Sequence, residues 1–146
     1  MSRYFTLEEA ESLLPQVSKL ISDAVALKPR YQEAEESMQA LMQRISLLGG
    51  TIVDRETALR NRNDRDRASE QLKSVLEGIQ EFGCVVKDLD IGLIDFPTLF
   101  RGEEVYLCWK LGEPGIEFWH GVHEGFAGRK PIDPDFLANH RGESPD

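Results

Sequence analysis

Between residues 10 and 48, apolar or small side chains recur at alternating steps of three and four. They are Ala10, Leu13, Val17, Leu20, Ala24, Leu27, Tyr31, Ala34, Met38, Leu41, Ile45 and Leu48. Twelve consecutive a and d positions without a polar interruption lie as one stripe on a helix and call for a second helix to cover it. An amphipathic helix lying alone on a globular core loses that register over such a length. Thr6-Leu7-Glu8-Glu9 has the form of a capping box, with Thr6 and Glu9 each able to bond the other's backbone N–H. The expected first helix therefore spans residues 7–48. Pro15 and Pro29 fall at f positions, furthest from the seam, where a proline bends a helix around its partner and leaves the freed carbonyl in water. A bent helix or two collinear segments is expected.

Gly49-Gly50 has the chemistry of a C-cap and Asp54 that of an N-cap, so a second helix is expected over 54–82. Ala68, Leu72, Val75, Ile79 and Phe82 continue the seam there, whereas residues 60–67 (Arg-Asn-Arg-Asn-Asp-Arg-Asp-Arg) are polar all round. That stretch is a solvated face with i,i+4 pairs or, on a sharper reading, an arginine cluster that meets a partner. Folding back around the glycines sets residue 41 near 61 and residue 34 near 68. The first helix then overshoots the second by three to four turns, and the stripe at Ala10, Leu13 and Val17 needs another cover: the rest of the chain or a second subunit.

After Gly83 the period changes. Cys84–Lys87, Gly92–Phe96 (stopped by Pro97), Glu104–Lys110 and Ile116–His120 read as short antiparallel strands within residues 84–120. Both faces of Glu104–Lys110 are apolar, as in a central strand covered on two sides. The predicted class is α+β: a long antiparallel, coiled-coil-like helical hairpin followed by a small antiparallel β-module. One domain covers 1–132, with 121–132 as a closing segment and the polar residues 133–146 as a flexible tail.

Net charge is -9. Residues 83–146 hold 6 Lys/Arg and 12 Asp/Glu, so the β-module carries -6 of it. Such acidity argues against general binding to nucleic-acid phosphates. No apolar run approaches a membrane span, and the N-terminus lacks the apolar core of a signal peptide, so a cytoplasmic protein is expected. Cys84 and Cys108 sit in predicted strands and not in a CxxC pair, which in a reducing compartment favours buried thiols.

Three clusters could carry chemistry. Glu117-x-x-His120-x-x-His123-Glu124 offers imidazoles and carboxylates suited to a divalent transition metal, provided the chain leaves the sheet near Gly121. Asp88, Asp90 and Asp95 surround Gly92, either as a cation-binding loop or as turn chemistry. Arg129, in Gly125-Phe126-Ala127-Gly128-Arg129, offers a guanidinium to an anion, with Trp109 and Trp119 as apolar walls, or else pairs internally with Asp88, Asp90 or Asp95.

Tyr4-Phe5-Thr6-Leu7-Glu8-Glu9-Ala10, Val86-Lys87-Asp88-Leu89-Asp90-x-Gly92-Leu93, Asp95-Phe96-Pro97, Val105–Glu113, Trp119-His120 and Gly125–Arg129 together resemble a bacterial family, Domain of Unknown Function 2203, over residues 4 to 132. The resemblance implies a small bacterial cytosolic protein and carries over no catalytic residue. From the residues themselves, the leading expectation is a homo-oligomer, dimer or larger, assembled through its hairpin as a structural or interaction protein. The alternatives are a metal-binding protein or metal-dependent enzyme using His120 and His123 with nearby carboxylates, and a module for a small anionic ligand.

Overall fold

The computed structural model describes residues 3–47 and 55–142. Helix α1 spans Leu7–Leu47 and α2 spans Arg55–Glu81. The expected caps at Gly49-Gly50 and Asp54 lie outside the described residues. Strands β1 (Val85–Asp88), β2 (Leu93–Phe100), β3 (Glu103–Lys110), β4 (Phe118–Gly121) and β5 (Lys130–Pro131) follow, then helix α3 (Pro134–Asn139) and strand β6 (His140–Arg141). The class is α+β, a long helical hairpin with an antiparallel sheet.

The capping box forms: Thr6 N–H donates to Glu9 Oε1 and Glu9 N–H donates to Thr6 Oγ1, both at 3.1 Å. Pro15 and Pro29 are exposed inside one helix, not at a break between two segments. Outward placement lets the lost hydrogen bonds fall to solvent.

The sheet runs β1-β2-β3-β4-β5, every pair antiparallel, with β6 joined to the end of β2. β3 is central, as its two apolar faces suggested. Pro97 does not stop β2; the strand continues to Phe100. Its carbonyl accepts from Phe5 N–H at 2.7 Å, so its imide nitrogen faces that same edge, away from the ladder with β3. Beyond Phe100 the two-residue turn Arg101-Gly102 takes φ of 52° and 83°. Paired positive φ values are the mark of a tight hairpin whose twist suits the strands it joins.

One sheet face packs on the helices. Phe5, Ala10, Val17, Ile21, Ala24 and Ile79 form a single core with Ile94, Phe96, Leu107 and Trp109. The N-terminal stripe of α1 that α2 cannot reach is therefore covered by the β-module of the same chain.

Residues 133–142 are not a free tail. Asp133 caps α3 by accepting from Phe136 N–H at 2.8 Å, and Phe136 is buried. The Phe136 ring stacks on Phe100 and Trp119, each at 4.9 Å. His140 Nε2 then accepts from Leu7 N–H at 3.0 Å, so the C-terminal segment completes the N-cap of α1. One aromatic in a polar stretch finds an apolar slot, and burying it offsets the cost of ordering the segment. Among the described residues, no helix is long and apolar enough to cross a membrane.

Candidate functional site

Strand alternation sends Ile94, Phe96, Leu107, Trp109 and Trp119 toward the helices and Asp95, Cys108 and His120 toward the opposite, outer face. Asp95 on β2 lies directly across from Cys108 on β3, and His120 on β4 pairs with Tyr106, two residues before Cys108. All three side chains are buried, Asp95 and Cys108 at 0% exposure and His120 at 2%. One ligand-type atom from each comes within 4.8 Å of the other two. Three adjacent strands thus hold a carboxylate, a thiol and an imidazole on rigid backbone.

The hydrogen bonds restrict the protonation states. His120 Nδ1 faces the Gly121 carbonyl at 2.8 Å, and a carbonyl can only accept, so Nδ1 carries a hydrogen. Nε2 faces Asp95 Oδ1 at 2.9 Å, and that contact needs one proton, on the ring or on the carboxyl. Burial pushes the Asp95 carboxyl above its usual range, and His120 partly opposes the shift. Burial, with the Asp95 charge behind it, pushes the Cys108 thiol up to about 12. The Cys108 thiol lies close enough to the Asp95 carboxyl to act on it as a weak donor, yet Asp95 Oδ2 is buried without a well-aligned hydrogen bond, an arrangement that is costly in a folded interior.

Charged and aromatic groups border the cluster. Arg129 Nη2 donates to both Glu113 carboxylate oxygens at 2.7 and 2.9 Å, and its guanidinium lies 4.1 Å from the Phe118 ring centroid and 4.8 Å from that of Phe126. Its Nε is buried and unpartnered. Glu113 Oε1 also accepts from Lys110 N–H at 2.7 Å, which fixes the carboxylate. On the other side Tyr106 packs 5.5 Å from the His120 ring, with Lys87 above it. Tyr106 also lines a cleft of about 350 Å³ together with Arg3, Val85, Pro97 and Glu104.

Other candidate residues lie elsewhere. Trp109 is in the core, its indole N–H on the Glu113 carbonyl at 3.1 Å, and Trp119 sits in the Phe100–Phe136 stack. Both face the helices while Arg129 lies against Phe118 on the outer face, so the three do not wall one pocket. Arg129 pairs with Glu113 and not with Asp88, Asp90 or Asp95, because the turn after β3 returns Glu113 beside it. Asp90 N–H donates to Asp88 Oδ1 at 2.9 Å, a local turn bond, and the Asp90 carboxylate pairs with Lys28. Asp95 instead meets Cys108 and His120 in the cluster.

Glu117 and His123 are exposed and do not converge with His120. Glu124 turns back onto Gly121 N–H at 2.8 Å and pairs with Lys130, which holds its carboxyl below the usual range. The chain-local metal set is therefore not assembled; among the described residues the group that could hold a metal is Asp95, Cys108 and His120. The sequence signal for His120 and Asp95 was their chemistry. Cys108 read only as a buried thiol, since nothing local tells that it faces Asp95 across a strand pair.

A second feature is the far part of the hairpin. In α1 every fully buried side chain lies at or before Ala24, whereas Tyr31, Ala34, Met38, Leu41 and Ile45 are only half-buried against α2. Met42 and Leu59 are 64% and 58% exposed there. Glu33 and Glu36 are exposed on α1, and Arg60, Arg62 and Arg67 on α2, with Arg65 4.0 Å from Glu35 across the seam.

The family model described as Uncharacterized conserved protein (DUF2203) matches residues 3–132, and the chain belongs to that family. No curated protein and no solved structure matches it.

Proposed function

We propose that this DUF2203-family chain is a homo-oligomeric structural or interaction protein whose helical arms pair with those of a second copy. The observation that carries the reading is the half-buried seam from Tyr31 to Ile45. A two-helix layer leaves one side of its apolar stripe wet, and the common remedy is a second pair of helices, giving a four-helix bundle. The β-module is no substitute, because it already covers the opposite end of α1.

Charge supports a copy of the same chain as the occupant. Residues 33–36 of α1 bring three glutamates, while residues 60–67 of α2 bring four arginines against two aspartates. A two-fold axis sets the acidic edge of one arm on the basic edge of the other, which a self-complementary surface requires. Met42 and Leu59 add exposed apolar surface on the same arm.

Light scattering or sedimentation on the untagged protein tests the proposal. The expected result is a dimer or larger assembly at micromolar concentration, with Leu59→Glu and Met42→Glu together giving a folded monomer. A monodisperse wild-type monomer, or an assembly that ignores both substitutions, overturns it. The carboxylate–thiol–imidazole cluster lies at the other end of the molecule and is independent of this reading.

A further inference from the structure

We infer that Asp95, Cys108 and His120 form a binding site for one borderline-soft divalent transition metal ion of the zinc class. The first support is the donor set. A carboxylate, a thiolate and an imidazole are the protein ligands such an ion takes, and three of them leave a fourth tetrahedral position for a small exogenous ligand such as water. The three come from β2, β3 and β4, and their ligand-type atoms already lie within 4.8 Å of one another.

The second support is the orientation of His120. A metal-bound histidine commonly donates its other ring N–H to a backbone carbonyl, which fixes the ring and the tautomer. His120 does this, with Nδ1 on the Gly121 carbonyl at 2.8 Å and Nε2 aimed at Asp95. In the bound state the ion takes the place of the proton shared by Nε2 and Asp95 Oδ1.

The third support is a buried oxygen that the protein fold leaves in need of a partner. Asp95 Oδ2 is buried without a well-aligned hydrogen bond in a residue at 0% exposure. A buried carboxylate oxygen with an open lone pair beside a thiol and an imidazole nitrogen is what a metal would satisfy. Charge agrees: one thiolate and one carboxylate balance a dication, so the loaded site is neutral with His120 neutral, as a buried site demands. Binding releases the thiol proton of Cys108 and the proton shared by Asp95 and His120 to solvent. Tyr106 packs against the His120 ring and also lines the 350 Å³ cleft.

The test is titration of chelator-treated, untagged full-length protein with Co²⁺, followed by absorption spectroscopy and by competition with Zn²⁺. The expected result is one equivalent bound with a thiolate-to-cobalt charge-transfer band and tetrahedral visible bands, both abolished by Zn²⁺. Cys108→Ser, the near-isosteric change, removes the charge-transfer band, and Asp95→Asn weakens binding at least tenfold. Cys84→Ser, His123→Ala and Glu117→Gln leave the spectrum unchanged. Circular dichroism establishes that each variant is folded. For any that is not, a Zn²⁺-dependent rise in the wild-type melting temperature at one equivalent serves as the second readout. Overturning results are folded wild-type protein with neither the cobalt–thiolate band nor a metal-dependent melting shift, or a band that survives Cys108→Ser.

Discussion

His120 Nε2 lies 2.9 Å from Asp95 Oδ1 at a point where both side chains are out of water, and Nδ1 of the same ring is committed to the Gly121 carbonyl. The ring is thereby fixed at both ends, and the metal-free contact with Asp95 rests on a single proton. Asp95→Ala strands Nε2 in the interior and is expected to cost about 3 kcal/mol of stability, the scale for breaking a buried pair. Asp95→Asn keeps a donor for Nε2 through its amide and is expected to cost only about 1 kcal/mol. Urea unfolding with a chelator present measures both. Equal losses for the two variants would show that the hydrogen bond to His120 contributes nothing beyond packing.

Phe136 fixes the C-terminal segment. It is 1% exposed and stacks between Phe100, Trp119 and, at 5.2 Å, His140. Phe136→Ala is expected to destabilise the protein by about 3 kcal/mol, the lower end for removing a buried aromatic ring. Truncation after residue 132 removes in addition the acceptor for Leu7 N–H and the Arg141 carbonyl that accepts from Thr98 Oγ1 at 3.1 Å. The truncated chain is expected to melt below Phe136→Ala. If the two melt together, the His140 and Arg141 contacts add nothing to the burial of Phe136; if truncation is neutral, α3 and β6 are decoration on a domain that ends at residue 132.

What the sequence revealed of this fold divides by range. The helical hairpin, its capping box and the outward prolines were legible because each is written in residues within a turn or two of one another. The polar composition of residues 133–142 points to a free tail, because the slot for its one phenylalanine is made by Phe100 and Trp119, more than fifteen residues away. Pro97 has the local signature of a strand terminator, but its effect depends on which edge its nitrogen faces, and here that edge meets Phe5. The site shows the same limit. His120 and Asp95 stood out chemically, but the choice of Cys108 over Glu117, His123 and Glu124 as their neighbour follows from the β2–β3–β4 register.

Both thiols are buried and free, and Cys84 donates its S–H to the Ile79 carbonyl at 3.3 Å. Burial pushes the Cys84 thiol up to about 11 from an unperturbed 9.0. The unfolded chain therefore releases this proton two pH units before the folded one. Stability from Cys84 is complete below pH 9 and falls as pH rises toward 11, by up to about 1.4 kcal/mol per unit. Cys84→Ala should flatten that part of the stability profile, measured by urea unfolding at successive pH values. In native protein at pH 8, neither cysteine should react with a thiol reagent on a timescale of minutes, and both should react in denaturant. Rapid native labelling of Cys84 would contradict its place in the core.

The hairpin should differ in stability along its length, and pairing of two copies should reduce the difference. Near the β-module, Val17, Ile21 and Ala24 are fully buried and share a core with the sheet. Beyond Tyr31, backbone hydrogen bonds are protected by half-buried side chains and, on the partner helix, by the small buried Ala68. Local opening free energy follows buried apolar contact, so amides of residues 31–47 and 55–67 should exchange faster than those of residues 10–27. In a monomer made by Leu59→Glu with Met42→Glu the contrast should be large, roughly tenfold or more for each 1.4 kcal/mol of lost protection. Pairing of two copies, as proposed, predicts that the distal amides of the wild-type protein slow toward the proximal rate, and slow further as protein concentration rises. Hydrogen exchange followed by mass spectrometry resolves the two segments. Distal exchange that is already slow in the monomeric variant would mean that α1 and α2 close the seam by themselves, and the case for a second copy would lose its physical basis.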